Sequence, residues 1–141
     1  MTLQDSPFHR QISYALAAAH RKVAQGLTAR LKKHGVQIEA WRVMELLDGD
    51  ARLTMGELAK AALINPPTLS KLVDRMVSDG LVHRQIADED HRQINLLLTD
   101  LGRLRMLQIR EDVVQQDLQL RDQMAQEDSK QLLELLSRLA G

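Results

Sequence analysis

Residues 65–92 read Asn-Pro-Pro-Thr-Leu-Ser-Lys-Leu-Val-Asp-Arg-Met-Val-Ser-Asp-Gly, then Leu-Val-His-Arg-Gln-Ile, then Ala-Asp-Glu-Asp-His-Arg. The stretch predicts a helix, a strand and the tip of a hairpin. Asn65 is suited to cap the helix, since its side-chain oxygen can accept an orphan backbone N–H. Pro66 suits the first helical position, where no N–H is needed. Leu69, Leu72, Val73 and Met76 recur at helical spacing and make one apolar face. Thr68, Ser70, Lys71 and Arg75 lie on the other face, as donors of the kind that contact phosphates and base edges. Gly80 ends the helix, being tolerant of positive φ.

Working outward, the segment before this helix carries the clearest local signal in the chain. Thr54-Met55-Gly56-Glu57 has the form of a capping box, with Leu53 and Leu58 placed as a hydrophobic staple. It predicts a short helix over about Thr54 to Ala61. A short helix, a turn and a longer polar-faced helix make a helix-turn-helix pattern. After Gly80, Leu81 to Ile86 predicts a strand. Ile94, Leu96 and Leu98 alternate with Gln93, Asn95 and Leu97, the pattern of a half-buried second strand. The polar segment between them, Ala87 to Arg92, predicts a β-hairpin wing.

The flanks are helical. Residues 7 to 34 predict one long helix with Phe8, Ile12, Leu16, Val23, Leu27 and Leu31 as a stripe. Arg10, Arg21, Lys22, Arg30, Lys32 and Lys33 make it the basic part of the molecule. A second helix is expected over about Gln37 to Leu47, with Ile38, Trp41, Val43 and Met44 on its buried side. Thr99 predicts the cap of a long helix reaching about Met124, with Leu104, Leu107, Val114 and Leu118 as one face. A last helix covers about Gln126 to Leu139. Leucine-rich helices at both ends have no visible core of their own, so they call for a partner. The fold class expected is mainly α with a small β-hairpin wing: a winged helix-turn-helix over 37–99, with helical dimerisation regions at 1–36 and 100–141.

Composition narrows the function. The 141 residues contain no cysteine, which excludes disulfides and thiol chemistry and fits a cytoplasmic protein. No apolar run of about 18 residues is present, and no signal peptide is visible. Formal net charge is zero, against the basic balance usual in a DNA-binding domain. Phe8, Tyr14 and Trp41 are the only aromatics, too few for stacking on single strands. There is no phosphate loop, no metalloprotease motif and no other catalytic constellation, so no enzyme and no cofactor are expected. Five histidines, His9, His20, His34, His83 and His91, are spread without ligand spacing, so no metal site is assigned.

The order of elements, with its local motifs, resembles the MarR family of bacterial transcriptional regulators. Leu58-Ala59 opens the helix-turn-helix, and Pro67-Thr68-Leu69-Ser70-Lys71-Leu72-Val73-Asp74-Arg75-Met76 resembles the recognition helix of that family. Asp79-Gly80-Leu81-Val82-His83-Arg84 resembles the exit into the wing. Asp90-His91-Arg92 matches the Asp-x-Arg of the wing, and Leu98-Thr99-Asp100-Leu101-Gly102 the end of its second strand. The resemblance implies a homodimer on a pseudo-palindromic duplex operator, relieved by a small, often aromatic acidic ligand. It makes Asn65, Pro67, Thr68, Ser70, Lys71, Arg75, Arg84, His91 and Arg92 the candidate DNA contacts, with Arg92 in the minor groove and Asp90 bracing the wing. Arg84 can instead brace the wing. Tyr14, Ala17, His20, Arg21, Trp41 and Met44 are the candidate effector-binding residues, where the first, second and fifth helices would join. For Trp41 simple packing is an equal reading.

Two departures bear on this. The absence of cysteine excludes a cysteine-based peroxide sensor. From Trp41 to Arg92, seven cations stand against nine acidic residues, a net charge of minus two. DNA affinity then depends on where a few cations point. The alternatives are a winged-helix protein-interaction module without DNA binding, and a metal-responsive regulator.

Overall fold

The computed structural model describes residues 6–49, 52–86 and 94–141. Its elements run α1 (Ile12–Lys32), α2 (Ile38–Leu47), α3 (Met55–Ala62), α4 (Pro66–Ser78), β1 (Val82–Ile86), β2 (Ile94–Leu98), α5 (Asp100–Asp122) and α6 (Gln126–Ala140). The two strands pair antiparallel, Val82 opposite Leu98 and Ile86 opposite Ile94. No helix among the described residues is long and apolar enough to cross a membrane.

The single helix expected from residue 7 is interrupted. Pro7–Arg10 is a separate 3-10 turn, opened by the Ser6 hydroxyl accepting the Phe8 N–H. Gln11 is extended, and the α-helix starts after it. The rings explain the break. Phe8 and His9 fold back onto Tyr14, with centroids 4.5 and 4.6 Å from the tyrosine ring. A straight helix from Pro7 would carry them away from it.

The core lies in the middle of the chain. Leu31 of α1, Val43 and Met44 of α2, Leu58 of α3, Leu69 and Val73 of α4, Val82 of β1 and Met106 and Ile109 of α5 are fully or almost fully buried together. Each such side chain contributes about 1.5–3 kcal/mol by leaving water. Leu96 points into this core while Leu97 is exposed, so the alternation expected for the second strand holds.

The boundaries of these elements follow from local chemistry. The capping box forms: the Thr54 hydroxyl accepts the Glu57 N–H at 3.1 Å, and the Glu57 carboxylate accepts the Thr54 N–H at 3.2 Å. Leu63 closes α3 in the left-handed region, φ 62°, while the Ile64 N–H reaches back to the Ala59 carbonyl. A glycine is usual at such a position, and a leucine costs about 1–2 kcal/mol there. Gly80 ends α4 at φ 76°, as its sequence position predicts.

Thr99 caps α5 and also ties it to the wing. Its hydroxyl donates to the Gly80 carbonyl at 2.5 Å and accepts the Gly102 N–H at 2.9 Å. Its own N–H donates to the Leu81 carbonyl at 3.0 Å. Gly102 sits so close to this strand that a Cβ would lie 2.0 Å from the Leu81 carbonyl oxygen.

The buried face of α5 is separate from its leucine stripe. Gly102, Met106 and Ile109 enter the core, with Val113 beside them. Leu104, Leu107, Val114 and Leu118 lie on the outside, 46–55% exposed. The helix carries two apolar stripes, and the outer one, three leucines and a valine, is the face for which the sequence calls for a partner. Leu132, Leu133, Leu135, Leu136 and Leu139 of α6 are exposed too, as are Phe8, Ile12, Leu16 and Val23 near the start.

Candidate nucleic-acid interface

Helix α4 separates its two kinds of residue cleanly. Leu69, Leu72, Val73 and Met76 are buried, while Pro67, Thr68, Ser70, Lys71, Asp74 and Arg75 are exposed. Lys71 and Arg75 are four apart and so project from one side, with Cβ atoms about 5–6 Å from each other. Neither takes part in an ion pair among the described residues. Arg75 stands in the last turn, where the helix dipole favours a cation.

Asn65 holds the N-cap position with extended backbone, but its side chain makes no capping bond. Pro66 and Pro67 explain the difference. Both lack an N–H, and Pro67 at the second position removes one of the two donors that a capping side chain accepts, leaving only that of Thr68. The Asn65 carboxamide is exposed and keeps its donors and acceptor for another molecule.

Arg84 of β1 forms an ion pair with Asp74 of α4. Of its two expected roles, the geometry supplies the brace: the wing strand is tied to α4. The same pair offsets the one carboxylate standing between Lys71 and Arg75. Acidic residues elsewhere in the lobe are occupied similarly. Glu45 and Asp48 of α2 are engaged by Arg110 and Arg103 of α5. The formal charge of minus two therefore overstates the negative field near α4. Asp90, His91 and Arg92 lie outside the described residues, as does the rest of the wing tip.

The six candidate effector residues do not converge within one chain. Met44 is fully buried in the core. Tyr14 packs with Phe8 and His9. Ala17, His20 and Arg21 are exposed along α1. Leu31 is the buried residue of α1 in the core shared with α2, and it lies about 25 Å along the helix from Tyr14 at 1.5 Å per residue. The length of α1 is spent on α5 instead: Gln116 donates to the Val23 carbonyl at 3.1 Å, Arg30 to the Gln119 carboxamide at 2.7 Å, and His34 meets Asp112 at 2.6 Å. Trp41 is half-buried, and its indole N–H is buried with no partner among the described residues.

Sequence reading missed the charged cluster joining α2 to α5. Its signal was present as spacing: Glu45 and Asp48 are three apart, and Arg103 and Arg110 seven apart, so each pair shares a helix face. Nothing in the sequence says that the two faces meet. Among the described residues, no group of three His, Asp or Glu side chains is placed to hold a metal ion.

Residues 34–93 match the MarR family model. The chain is 31% identical over 99 residues to the HTH-type transcriptional repressor IacR of Pseudomonas putida, covering 70% of this chain and 56% of that protein. In fold it superposes on the transcriptional repressor CouR bound to a 23-mer DNA duplex with a TM-score of 0.91, at 22% identity and over the full length of both chains. It superposes on NadR in complex with 4-hydroxyphenylacetate with a TM-score of 0.79 and 27% identity, over 99% of this chain and 98% of that one. The winged lobe is thus matched in sequence and the outer helices in fold, and the chain belongs to the MarR family of helix-turn-helix transcriptional regulators.

Proposed function

We propose that the protein is a cytoplasmic repressor that binds a pseudo-palindromic duplex operator as a homodimer and is released by a small aromatic carboxylate. The observation that carries this is the outward face of α4, where Asn65, Pro67, Thr68, Ser70, Lys71 and Arg75 are all exposed beside a fully buried apolar face. Lys71 and Arg75 reach phosphates or guanine edges, and the smaller polar groups fix register. His91 and Arg92 extend the contact from the wing, with Arg92 in a narrow minor groove and Asp90 bracing it. Two such helices fit successive major grooves when they stand about 34 Å apart.

A second copy supplies what one chain lacks. The outer leucines of α5 and α6 and the apolar residues at the start of α1 are too numerous for a stable free surface. An apolar cleft of about 390 Å³ among Val23, Leu120, Met124, Leu132, Leu133 and Leu136 offers them a seat. Joining Tyr14, Ala17, His20 and Arg21 with Trp41 likewise requires the α1 of a partner. NadR, with its bound 4-hydroxyphenylacetate, motivates the ligand class. The unpartnered Trp41 N–H is a donor suited to a carboxylate.

Fluorescence polarisation on DNA upstream of the protein's own gene tests the reading. Nanomolar binding is expected, falling with salt at a log–log slope of about −0.9 per phosphate neutralised. Absence of binding even at low salt would favour the protein-interaction module. Addition of 4-hydroxyphenylacetate is expected to release DNA and change Trp41 fluorescence; failure of both removes this ligand class.

A further inference from the structure

The charged cluster between α2 and α5 includes no residue of α4. Arg110 Nε donates to Glu45 Oε1 at 2.9 Å, and its Nη2 donates to Glu45 Oε2 at 3.1 Å and to Asp48 Oδ2 at 2.9 Å. Arg103 Nη1 donates to Asp48 Oδ1 at 2.8 Å. One guanidinium thus spans two carboxylates, and a second closes on the far oxygen of Asp48. Only the flat fork of an arginine makes this set of bonds. Arg110 also lies against the sulfur of Met106, one turn back in the core. Both arginines sit at the carboxyl end of α2, where the helix dipole favours positive charge.

The location gives the cluster its meaning. Asp48 is the last fixed point of α2 before the chain turns into α3 and the helix-turn-helix. Helix α5 carries the exposed outer stripe. The clamp therefore joins the winged lobe to the helix that faces a second copy.

We propose that Arg110 is a positioning residue for operator recognition: gripping Glu45 and Asp48, it fixes the angle at which the winged lobe leaves α5, and with it the separation of the two recognition helices. The proposal rests on the reading of the chain as a DNA-binding dimer. Operator half-sites are spaced by the helical repeat of the duplex. A lobe free to rock on α5 keeps every DNA contact residue and still misses one half-site.

The chain contains no cysteine, so Lys60→Cys on the exposed side of α3 gives one labelling site per protomer. Pulsed electron paramagnetic resonance then reads the distance between the two labels, in this background and with Arg110→Met added. Binding is measured on an operator selected from a random duplex pool, and on versions with one base pair inserted between half-sites. With Arg110→Met the distance distribution is expected to broaden or shift, and operator affinity to fall by about fivefold or more, the lower end of inter-site coupling. The penalty for the inserted base pair is expected to shrink, while the light-scattering mass stays that of the parent. An unchanged distance distribution and spacing preference overturn the proposal, even if thermal stability drops, because Arg110 is then structural only. If Arg110→Met does not fold, the pair Glu45→Gln with Asp48→Asn removes the same charge pairs at nearly constant shape and is read identically; loss of fold in both also overturns it. A parent that gives no inter-label distance and binds no duplex defeats the functional reading, a result distinct from a functional parent matched by its variant.

Discussion

Lys71 and Arg75 are the two cations that α4 leaves unpaired among the described residues, and the sharpest residue-level expectation concerns them. Lys71→Ala and Arg75→Ala should each weaken operator binding by about 1–3 kcal/mol if the side chain reads a base, and uniformly across sequences if it meets only phosphate. Polarisation titrations over a panel of single-base operator variants separate the two. Leu63 offers an expectation about stability instead. It is 75% exposed and held at φ 62°, so it gains little from burial while bearing left-handed strain. Leu63→Gly should raise the unfolding free energy by about 0.5–1 kcal/mol, the relieved strain exceeding the added chain entropy. Urea denaturation with unchanged slope checks it; a lower midpoint would mean that the exposed leucine makes contacts of its own.

At the scale of elements, α6 is nearly all outer surface, and within one chain only Ser129 of it is buried. A chain ending at Asp122 should therefore keep the central core yet sediment as a single chain. Its operator affinity should fall by about 10²–10⁴-fold, the avidity that a second linked half-site contributes. Analytical ultracentrifugation and polarisation on the same sample test both halves of this. The elements themselves were legible because their ends are written in the chain. Thr54 with Glu57, Gly80 and Thr99 each announce a boundary through one hydrogen bond or one dihedral angle. The leucine stripe of α5 was legible as a face in need of a partner; its second, inward stripe was not. Gly102, Met106 and Ile109 are too few to stand out beside the leucines, and only packing against the lobe shows that they enter the core. The candidate site divides in the same way. The exposed row of α4 follows from periodicity, whereas the brace from Asp74 to Arg84 joins different elements, and helical spacing says nothing of it. The candidate effector residues of α1 and α2 are not brought together within one chain because α1 is docked along α5.

Across the whole molecule, charged pairs hold the outer helices to the lobe, and they respond to acid. Hydrogen bonding from Arg110 is the chief cause that lowers the pKa of Asp48 below the ordinary 3.8, and bonding from His34 the chief cause for Asp112. A carboxylate with a depressed folded pKa contributes stability above its unfolded value and loses it as pH falls through the folded one. The thermal midpoint should therefore hold across neutral pH and decline once pH drops below about 4, where unfolded carboxylates begin to bind protons. Asp48→Asn should flatten that acid limb; a parent and variant with parallel limbs would show that other groups control it.

The missing Cβ of Gly102 bears on motion. Helix α5 approaches the Leu81 carbonyl so closely that not even a methyl group fits between them, and Thr99 pins the same spot through both Gly80 and Leu81. A joint of that kind behaves as a bearing: sliding is blocked, and swivelling about the contact is the freedom that remains. Arg110 grips α2 about 12 Å farther along α5, at 1.5 Å per residue. Any swing of the winged lobe against α5 then has its fulcrum at one glycine and its stop at one arginine, and a small swing at the stop is carried outward to α4.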